Sequence, residues 1–169
     1  MTPDIVSRFD FERMDQPEPT TDLASSLPEW LRYQRHEFQR KLRDLSAEQM
    51  AQWSVPPVEL SVIGLVRHMT QMEHVYLSWG LGGGERVLVY GDDDYAGGSA
   101  DTVEADLEAY LAEVELAEKA MTAVPSLDSP GRGHGRPLGA TLIKMIDEYA
   151  LHSGQAHMLR FAALGEMRR

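Results

Sequence analysis

A carboxylate and an imidazole lie four residues apart late in the chain, at Glu148 and His152. On a helix this spacing places the two side chains on one face, one turn apart. Apolar residues recur through the stretch with the same period, so we expect the pair to point towards a core. Burying such a pair without partners costs several kcal/mol, roughly. A bound metal ion or a buried hydrogen bond would offset that cost.

A second imidazole, His68, lies in an apolar stripe earlier in the chain. That stripe has steps of three and four residues, as in the seam of a helical bundle, and it comprises Leu65, His68, Met72, Val75 and Trp79. Glu73 and His74 fall elsewhere on the circumference, and we expect them nearer to solvent. The pattern therefore predicts that His68 faces the same core as Glu148 and His152.

Helical bundles build metal sites from inward His and carboxylate side chains on facing helices. His68, Glu148 and His152 would supply three protein ligands and leave positions open for water or substrate, as in catalytic zinc sites. Nickel or iron would accept the same ligands. The alternative is a buried polar cluster in which the three side chains satisfy one another without a metal. The spacing alone does not choose between these two interpretations.

The elements that must position these residues are four amphipathic helices, predicted at about 21–45, 61–81, 101–123 and 138–164. In the first, Pro28 predicts a restart capped by Ser25 or Ser26. The stripe of the last helix comprises Leu142, Met145, Tyr149, His152, Ala156 and Leu159. Four such helices without a convincing sheet predict an all-α fold, a four-helix bundle.

Two connections between these helices have unusual compositions. The loop between the second and third helices is about twenty residues long, contains the acidic run 92–94, and has room for a short strand at 86–90. Loops of this length are often functional, but the run lacks the pattern of an EF-hand calcium site. The loop 125–137 is basic and rich in glycine, and it matches no phosphate-binding motif.

Composition narrows the class of protein. Sixteen Lys and Arg against twenty-seven Asp and Glu give a net charge of −11, which argues against nucleic acid and anionic membranes as partners. The absence of cysteine excludes thiolate metal sites and cysteine nucleophiles, so a metal would be held by His and carboxylates. Neither a secretory signal nor a membrane span is visible, and we expect a cytoplasmic protein.

The organisation predicted from these patterns is an N-terminal arm over residues 1–20 followed by one helical domain over 21–169. Ile5, Val6, Phe9 and Phe11 give the arm enough apolar surface to pack against the domain. The same surface is compatible with exchange of the arm between the subunits of a homodimer. A loosely ordered terminus is the alternative.

Four segments, in this order, resemble a known family. They are LSAEQM at 45–50, VPP at 55–57, GLVRHMTQME at 64–73 and MIDEYALHSG at 145–154. The chain resembles the DinB-like superfamily of four-helix metal-binding bundles, in particular an uncharacterised actinobacterial branch. That branch is similar to the metal-binding domain of mycothiol-dependent maleylpyruvate isomerase. The resemblance covers about residues 21–165.

The resemblance implies that His68 is the first metal ligand and that Glu148 and His152 form the family's Glu-x-x-x-His pair. After the last ligand, relatives often read Gly-His-Ala-Asp, whereas this chain has Gln155 and His157 at the two variable positions. Those two residues are therefore candidates for contacts around the ligands. The change leaves the ligand set intact and puts the identity of the substrate in doubt.

The resemblance also implies a divalent-metal-dependent enzyme that acts on a small-molecule substrate with a low-molecular-weight thiol such as mycothiol. The cation would lower the pKa of the thiol so that it attacks at neutral pH, in a transferase or an isomerase. Arg67, Arg132 and Arg136 are candidates for binding an anionic group of the substrate or cofactor. Alternatives are metal-assisted hydrolysis by water at the same site and a non-catalytic metal- or ligand-binding bundle.

Overall fold

The computed structural model describes residues 4–165, and the helices in this range form a four-helix bundle, as the sequence predicted. The four helices of the bundle are α1, a continuous helical segment made of α3 and α4, α5, and α6. The short helix α2 lies between α1 and α3 in the sequence. The bounds are Leu23–Gln39 for α1, Ala47–Ala51 for α2, Val62–Met72 for α3, Trp79–Gly82 for α4, Val103–Thr122 for α5 and Leu138–Leu164 for α6. Short 3-10 turns cover Asp4–Arg8 and Arg40–Leu42.

Side chains cap the starts of the first three helices. Asp22 accepts a hydrogen bond from the backbone of Ala24 at 3.0 Å, and Ser46 forms a capping box with Gln49. The predicted restart of the first helix is wrong, because α1 runs through Pro28 without a break. This proline lies near the start of α1, where the loss of one backbone donor still leaves most of the helical hydrogen bonds in place.

The predicted second helix differs from the structure in its middle. Between α3 and α4 the backbone forms a π-helical turn at Glu73–Ser78. The expectation that Glu73 lies near solvent is wrong, since its side chain is fully buried. Arg35 binds both of its carboxylate oxygens, at 2.7 and 2.8 Å, and the Tyr149 hydroxyl donates to it at 2.5 Å. A buried charge persists where such partners satisfy it.

The loop between α4 and α5 follows the surface of α3 and forms no strand within the described residues. The short strand for which the sequence leaves room at 86–90 is absent there, and Val87, Leu88 and Val89 are exposed. Two side chains of α3 hold the loop instead. Arg67 donates to the carbonyl of Asp94 at 3.1 Å, and Gln71 donates to the carbonyl of Gly91 at 3.1 Å.

The N-terminal segment packs on the bundle through Ile5, Val6 and Phe9, all of which are buried. The ring of Phe9 stacks on that of Tyr110 in α5, with centroids 6.4 Å apart. The division of the chain into an arm and a domain stays a prediction. Over the described residues, none of the helices combines the length and apolar character needed to cross a bilayer.

Candidate metal centre

Helix α6 brings Glu148 and His152 together, as their four-residue spacing predicted. The Nε2 atom of His152 lies 3.2 Å from Oε2 of Glu148. All six residues of the predicted stripe of this helix are buried: Leu142, Met145, Tyr149, His152, Ala156 and Leu159. The apolar neighbours in this stripe therefore fix the rotation of α6 that turns the pair inward.

Helix α3 adds His68 to the pair from across the bundle. Its Nε2 atom lies 3.7 Å from the same Glu148 oxygen, and its ring centroid is 4.7 Å from that of His152. One potential ligand atom from each of the three side chains lies within 4.8 Å of the others. The structure thus gathers the three residues singled out in the sequence into one cluster between two helices.

The outer nitrogen of each imidazole has its own hydrogen-bond partner. Nδ1 of His68 lies 2.8 Å from Oδ2 of Asp94, and Nδ1 of His152 lies 2.7 Å from Oε1 of Gln155. Each Nε2 also faces Oε2 of Glu148, so each ring has an oxygen near both of its nitrogens. A cation bound to the two Nε2 atoms would leave the proton of each ring on Nδ1, where an oxygen accepts the hydrogen bond. This arrangement is typical of metal-ligating histidines.

Electrostatics favour an ionised carboxylate and a neutral imidazole in the cluster. Burial alone would raise the pKa of Glu148, but the hydrogen bond and charge of Lys144, with the two imidazoles, outweigh it and lower that pKa. Lys144 lies one turn before Glu148 and forms an ion pair with Oε1. Burial lowers the pKa of His152, so its ring is neutral near pH 7. These are the protonation states that metal ligands need.

The donor set fits a divalent cation. Two atoms bound to a tetrahedral zinc ion at about 2.0–2.1 Å lie about 3.3 Å from one another. The separations of 3.2 and 3.7 Å from Glu148 to the imidazoles are close to this value. One carboxylate with two neutral imidazoles also balances part of the charge of the cation, and a third histidine in place of Glu148 would not.

Tyr95 covers one side of the cluster. Its ring stacks on that of His68 with centroids 4.2 Å apart and an interplanar angle of 18°. Burial, together with the charges of Asp94 and Glu148, raises the pKa of Tyr95 to about 12. The phenol therefore keeps its proton at neutral pH and does not compete with Glu148 as an anionic ligand.

The other residues singled out in the sequence have different positions. The guanidinium of Arg67 has other partners than the cluster: it pairs with Asp106 at 3.2 Å and lies 4.0 Å from the centre of the Tyr90 ring. Arg132 and Arg136 are exposed in the glycine-rich loop. Within residues 4–165, neither forms a hydrogen bond or ion pair with His68, Glu148 or His152. Of the two variable positions, Gln155 contacts His152, whereas His157 packs edge-on against Phe161 with ring centroids 4.6 Å apart.

Three residues at the site were not predicted from the sequence. Lys144 could have been found, because it precedes Glu148 by the same four-residue step that separates Glu148 from His152. Asp94 and Tyr95 carry no such signal, since they lie in a loop without periodicity. Only the fold of that loop over α3 places them beside His68.

An apolar groove of about 550 Å³ lies between α6 and the connector that precedes α3. Gln155 lines the groove and also binds His152, so this side chain links the groove to the cluster. The remaining lining is apolar apart from one glycine: Val55, Val58, Leu60, Leu151, Gly154, Met158 and Leu159. A volume of this size is typical of sites for small molecules.

Comparison with known proteins agrees with the resemblance noted in the sequence. A family model described as Mycothiol-S-transferase matches residues 26–165, well over half of the chain. No curated protein sequence matches the chain. The matched region contains both helices that supply the cluster, and the family's description points to transferase chemistry related to mycothiol. The chain therefore belongs to the mycothiol-S-transferase family, which is a DinB-like family.

Proposed function

We propose that the protein is a divalent-metal-dependent transferase that joins the sulfur of an intact low-molecular-weight thiol, of the mycothiol type, to a small electrophilic acceptor. The observation that carries this proposal is the convergence of His68, Glu148 and His152 in a member of this family. The three side chains would hold the cation. Zinc suits a set of two imidazoles and one carboxylate, and nickel or iron are the alternatives.

A bound cation supplies the Lewis acidity that lowers the pKa of a thiol and makes it nucleophilic at neutral pH. Because the chain has no cysteine, the reacting thiol comes from a small molecule. In the transfer, the thiol proton passes to solvent and a sulfur–carbon bond forms at the acceptor. The leaving group of the acceptor departs with its electron pair.

The residues around the cluster have distinct tasks in this proposal. Lys144 keeps Glu148 ionised, and Gln155 would accept a hydrogen bond from Nδ1–H of His152 so that Nε2 is free to bind the cation. Tyr95 shields one face of His68 from water. Exclusion of water favours attack by the thiol over hydrolysis at the same site.

We place the apolar part of the acceptor in the groove beside Gln155. Gln155 lines the groove and binds His152, and Leu151 and Met158, which also line it, are 57% and 54% exposed. Covering these side chains with an apolar molecule removes that surface from water, which favours binding. An acceptor seated there lies next to the ligands and not across the bundle from them.

The first experiment measures metal content. Protein purified without an affinity tag should contain about one divalent ion per chain, the number that one three-ligand site holds. His68→Ala and His152→Ala should each lose it. His157→Ala is the matched control, because His157 lies on the same helix as His152 and contacts Phe161 instead of the cluster. Wild-type protein that lacks metal and ignores added zinc, nickel and iron would refute the proposal.

The second experiment identifies the reaction of the metal-loaded protein. Conjugation of mycothiol to an aryl electrophile should depend on the protein, on the metal and on the thiol. Ester or amide hydrolysis that needs no thiol would instead establish a metal-dependent hydrolase. Metal binding without either activity, over a broad set of electrophiles and esters, would leave a non-catalytic binding protein.

A further inference from the structure

The acidic run of the loop between α4 and α5 contains one aspartate that differs from the other two. Asp92 and Asp93 are exposed, whereas Asp94 is 8% exposed. Its Oδ2 lies 2.8 Å from Nδ1 of His68, and Nε2 of Gln71 lies 3.4 Å from the same oxygen. The carboxylate is thus directed into the protein, at the side of the imidazole opposite the cluster.

Contacts that do not involve the carboxylate fix the backbone of Asp94. Arg67 of α3 donates to its carbonyl at 3.1 Å, and Arg67 is itself held by Asp106 of α5 at 3.2 Å. The next residue, Tyr95, packs its carbonyl against Gly64, where a Cβ would lie only 2.1 Å from that oxygen. The loop therefore brings the carboxylate to His68 from a position set by α3 and α5.

We infer that Asp94 is a positioning residue for His68: it fixes the ring so that Nε2 faces Glu148 and His152, and it strengthens the ring as an electron donor to the cation. The inference rests on the proposed metal site. Carboxylates that accept a hydrogen bond from a ligating histidine orient the ring and increase its basicity, and their loss typically weakens metal affinity by about 10–100-fold.

The two imidazoles are supported unequally. Nδ1 of His68 contacts the carboxylate of Asp94, whereas Nδ1 of His152 contacts the neutral amide of Gln155. A charged acceptor polarises the ring more strongly than a neutral one. We therefore expect the loss of Asp94 to weaken binding of the cation more than the loss of Gln155 does.

The experiment compares zinc affinities, measured by competition with a chromophoric chelator, for Asp94→Ala and for its exposed neighbour Asp93→Ala. The affinity should fall about 10–100-fold in the first variant and stay within about twofold of wild type in the second. Asp94→Asn should be intermediate, because it keeps an acceptor oxygen and loses the charge. Cobalt-substituted Asp94→Ala should show a shifted visible spectrum, which reports a change in the ligand field and not in folding.

A double variant separates positioning from a general structural role. In a His68→Ala background, Asp94→Ala should have no further effect on the residual zinc affinity, since the residue through which Asp94 acts is gone. An additive loss in the double variant would overturn the inference. In zinc-loaded wild-type protein, nitrogen NMR of the imidazoles should find the His68 proton on Nδ1. A proton on Nε2 would also overturn it, whether or not the variants fold.

The outcomes distinguish this inference from the proposed function. Wild-type protein that binds no cation refutes the metal site and the role of Asp94 with it. Wild-type protein that binds zinc, with equal affinities in Asp94→Ala and Asp93→Ala, refutes only the role of Asp94.

Discussion

The hydroxyl of Tyr149 offers a direct measurement of what the buried polar network contributes to stability. It donates to Oε1 of Glu73 at 2.5 Å and lies 3.1 Å from the hydroxyl of Tyr110. Burial, reinforced by the charge of Glu73, raises the pKa of Tyr149 well above its ordinary value, so the hydroxyl keeps its proton. Tyr149→Phe removes this one oxygen and leaves the packing of the ring in place.

The expected cost follows from the partners that remain. A hydrogen bond to a charged group contributes about 1.5–3 kcal/mol. Glu73 keeps both of its bonds to Arg35, and Tyr110 keeps a contact with Gln39, so the lower part of this range, about 1.5–2 kcal/mol, applies. Unfolding entropy scales at about 2.1 cal/mol/K per residue, or about 0.35 kcal/mol/K for 169 residues. The melting temperature should therefore fall by about 4–6 °C.

Calorimetry and urea unfolding of the metal-free proteins measure this change. Tyr33→Phe is the control, because Tyr33 is only partly buried in α1 and no hydrogen bond of its hydroxyl is seen within residues 4–165. Its free energy of unfolding should stay within about 0.5 kcal/mol of wild type. Equal stabilities for Tyr149→Phe and Tyr33→Phe would refute the reasoning, since they would mean that the buried hydroxyl contributes nothing net.

Three further predictions concern the site and its surroundings. Gly64→Ala should weaken zinc binding and lower stability, because the added Cβ would lie 2.1 Å from the Tyr95 carbonyl oxygen. Gly154→Ala is the control: it has open space around it and should be neutral or stabilising by up to about 1 kcal/mol. Unchanged zinc binding in Gly64→Ala would contradict the prediction. Met158→Lys should raise the KM for an apolar acceptor several-fold and leave zinc affinity unchanged, whereas Ile143→Lys, which is equally exposed on α6 outside the groove, should change neither. Zinc affinity should decrease as the pH is lowered, because the cation and the proton compete for the same nitrogen of His152. Since the pKa of His152 is lowered from its ordinary value of 6.5, this decrease should begin below pH 6.5. An affinity that is constant down to pH 4 would exclude His152 as a ligand.

Most of what the sequence predicted about the fold and the candidate ligands came from helical periodicity. The stripe of α6 was correct at every position because a helix buried along one face leaves the strongest pattern a sequence can show. His68 entered the cluster by the same logic, from a stripe on α3. The ligand assignment itself stays a prediction until a cation is measured.

Periodicity did not predict the positions of side chains that depend on a distant partner or on the structure of a loop. Glu73 was expected near solvent because it lies off the apolar stripe of its helix, but a partner 38 positions away in the sequence, Arg35, allows its carboxylate to be buried. The π-helical turn that begins at Glu73 leaves no mark in a pattern based on 3.6 residues per turn. Asp94 was one of three adjacent aspartates, and no local feature distinguishes it from its neighbours.

The network of Arg35, Glu73 and Tyr149 has a consequence for how the proposed site would acquire a cation. Its charges and hydroxyls are satisfied by one another, and it lies one residue from Glu148 along α6. It joins α1, the π-helical turn after α3, and α6 by direct contacts. We therefore expect the bundle to fold without a cation, unlike a zinc finger, whose fold forms only around its metal. A cation would then bind to side chains that are already close together. We expect the tightest binding for cations whose bond lengths match that existing spacing.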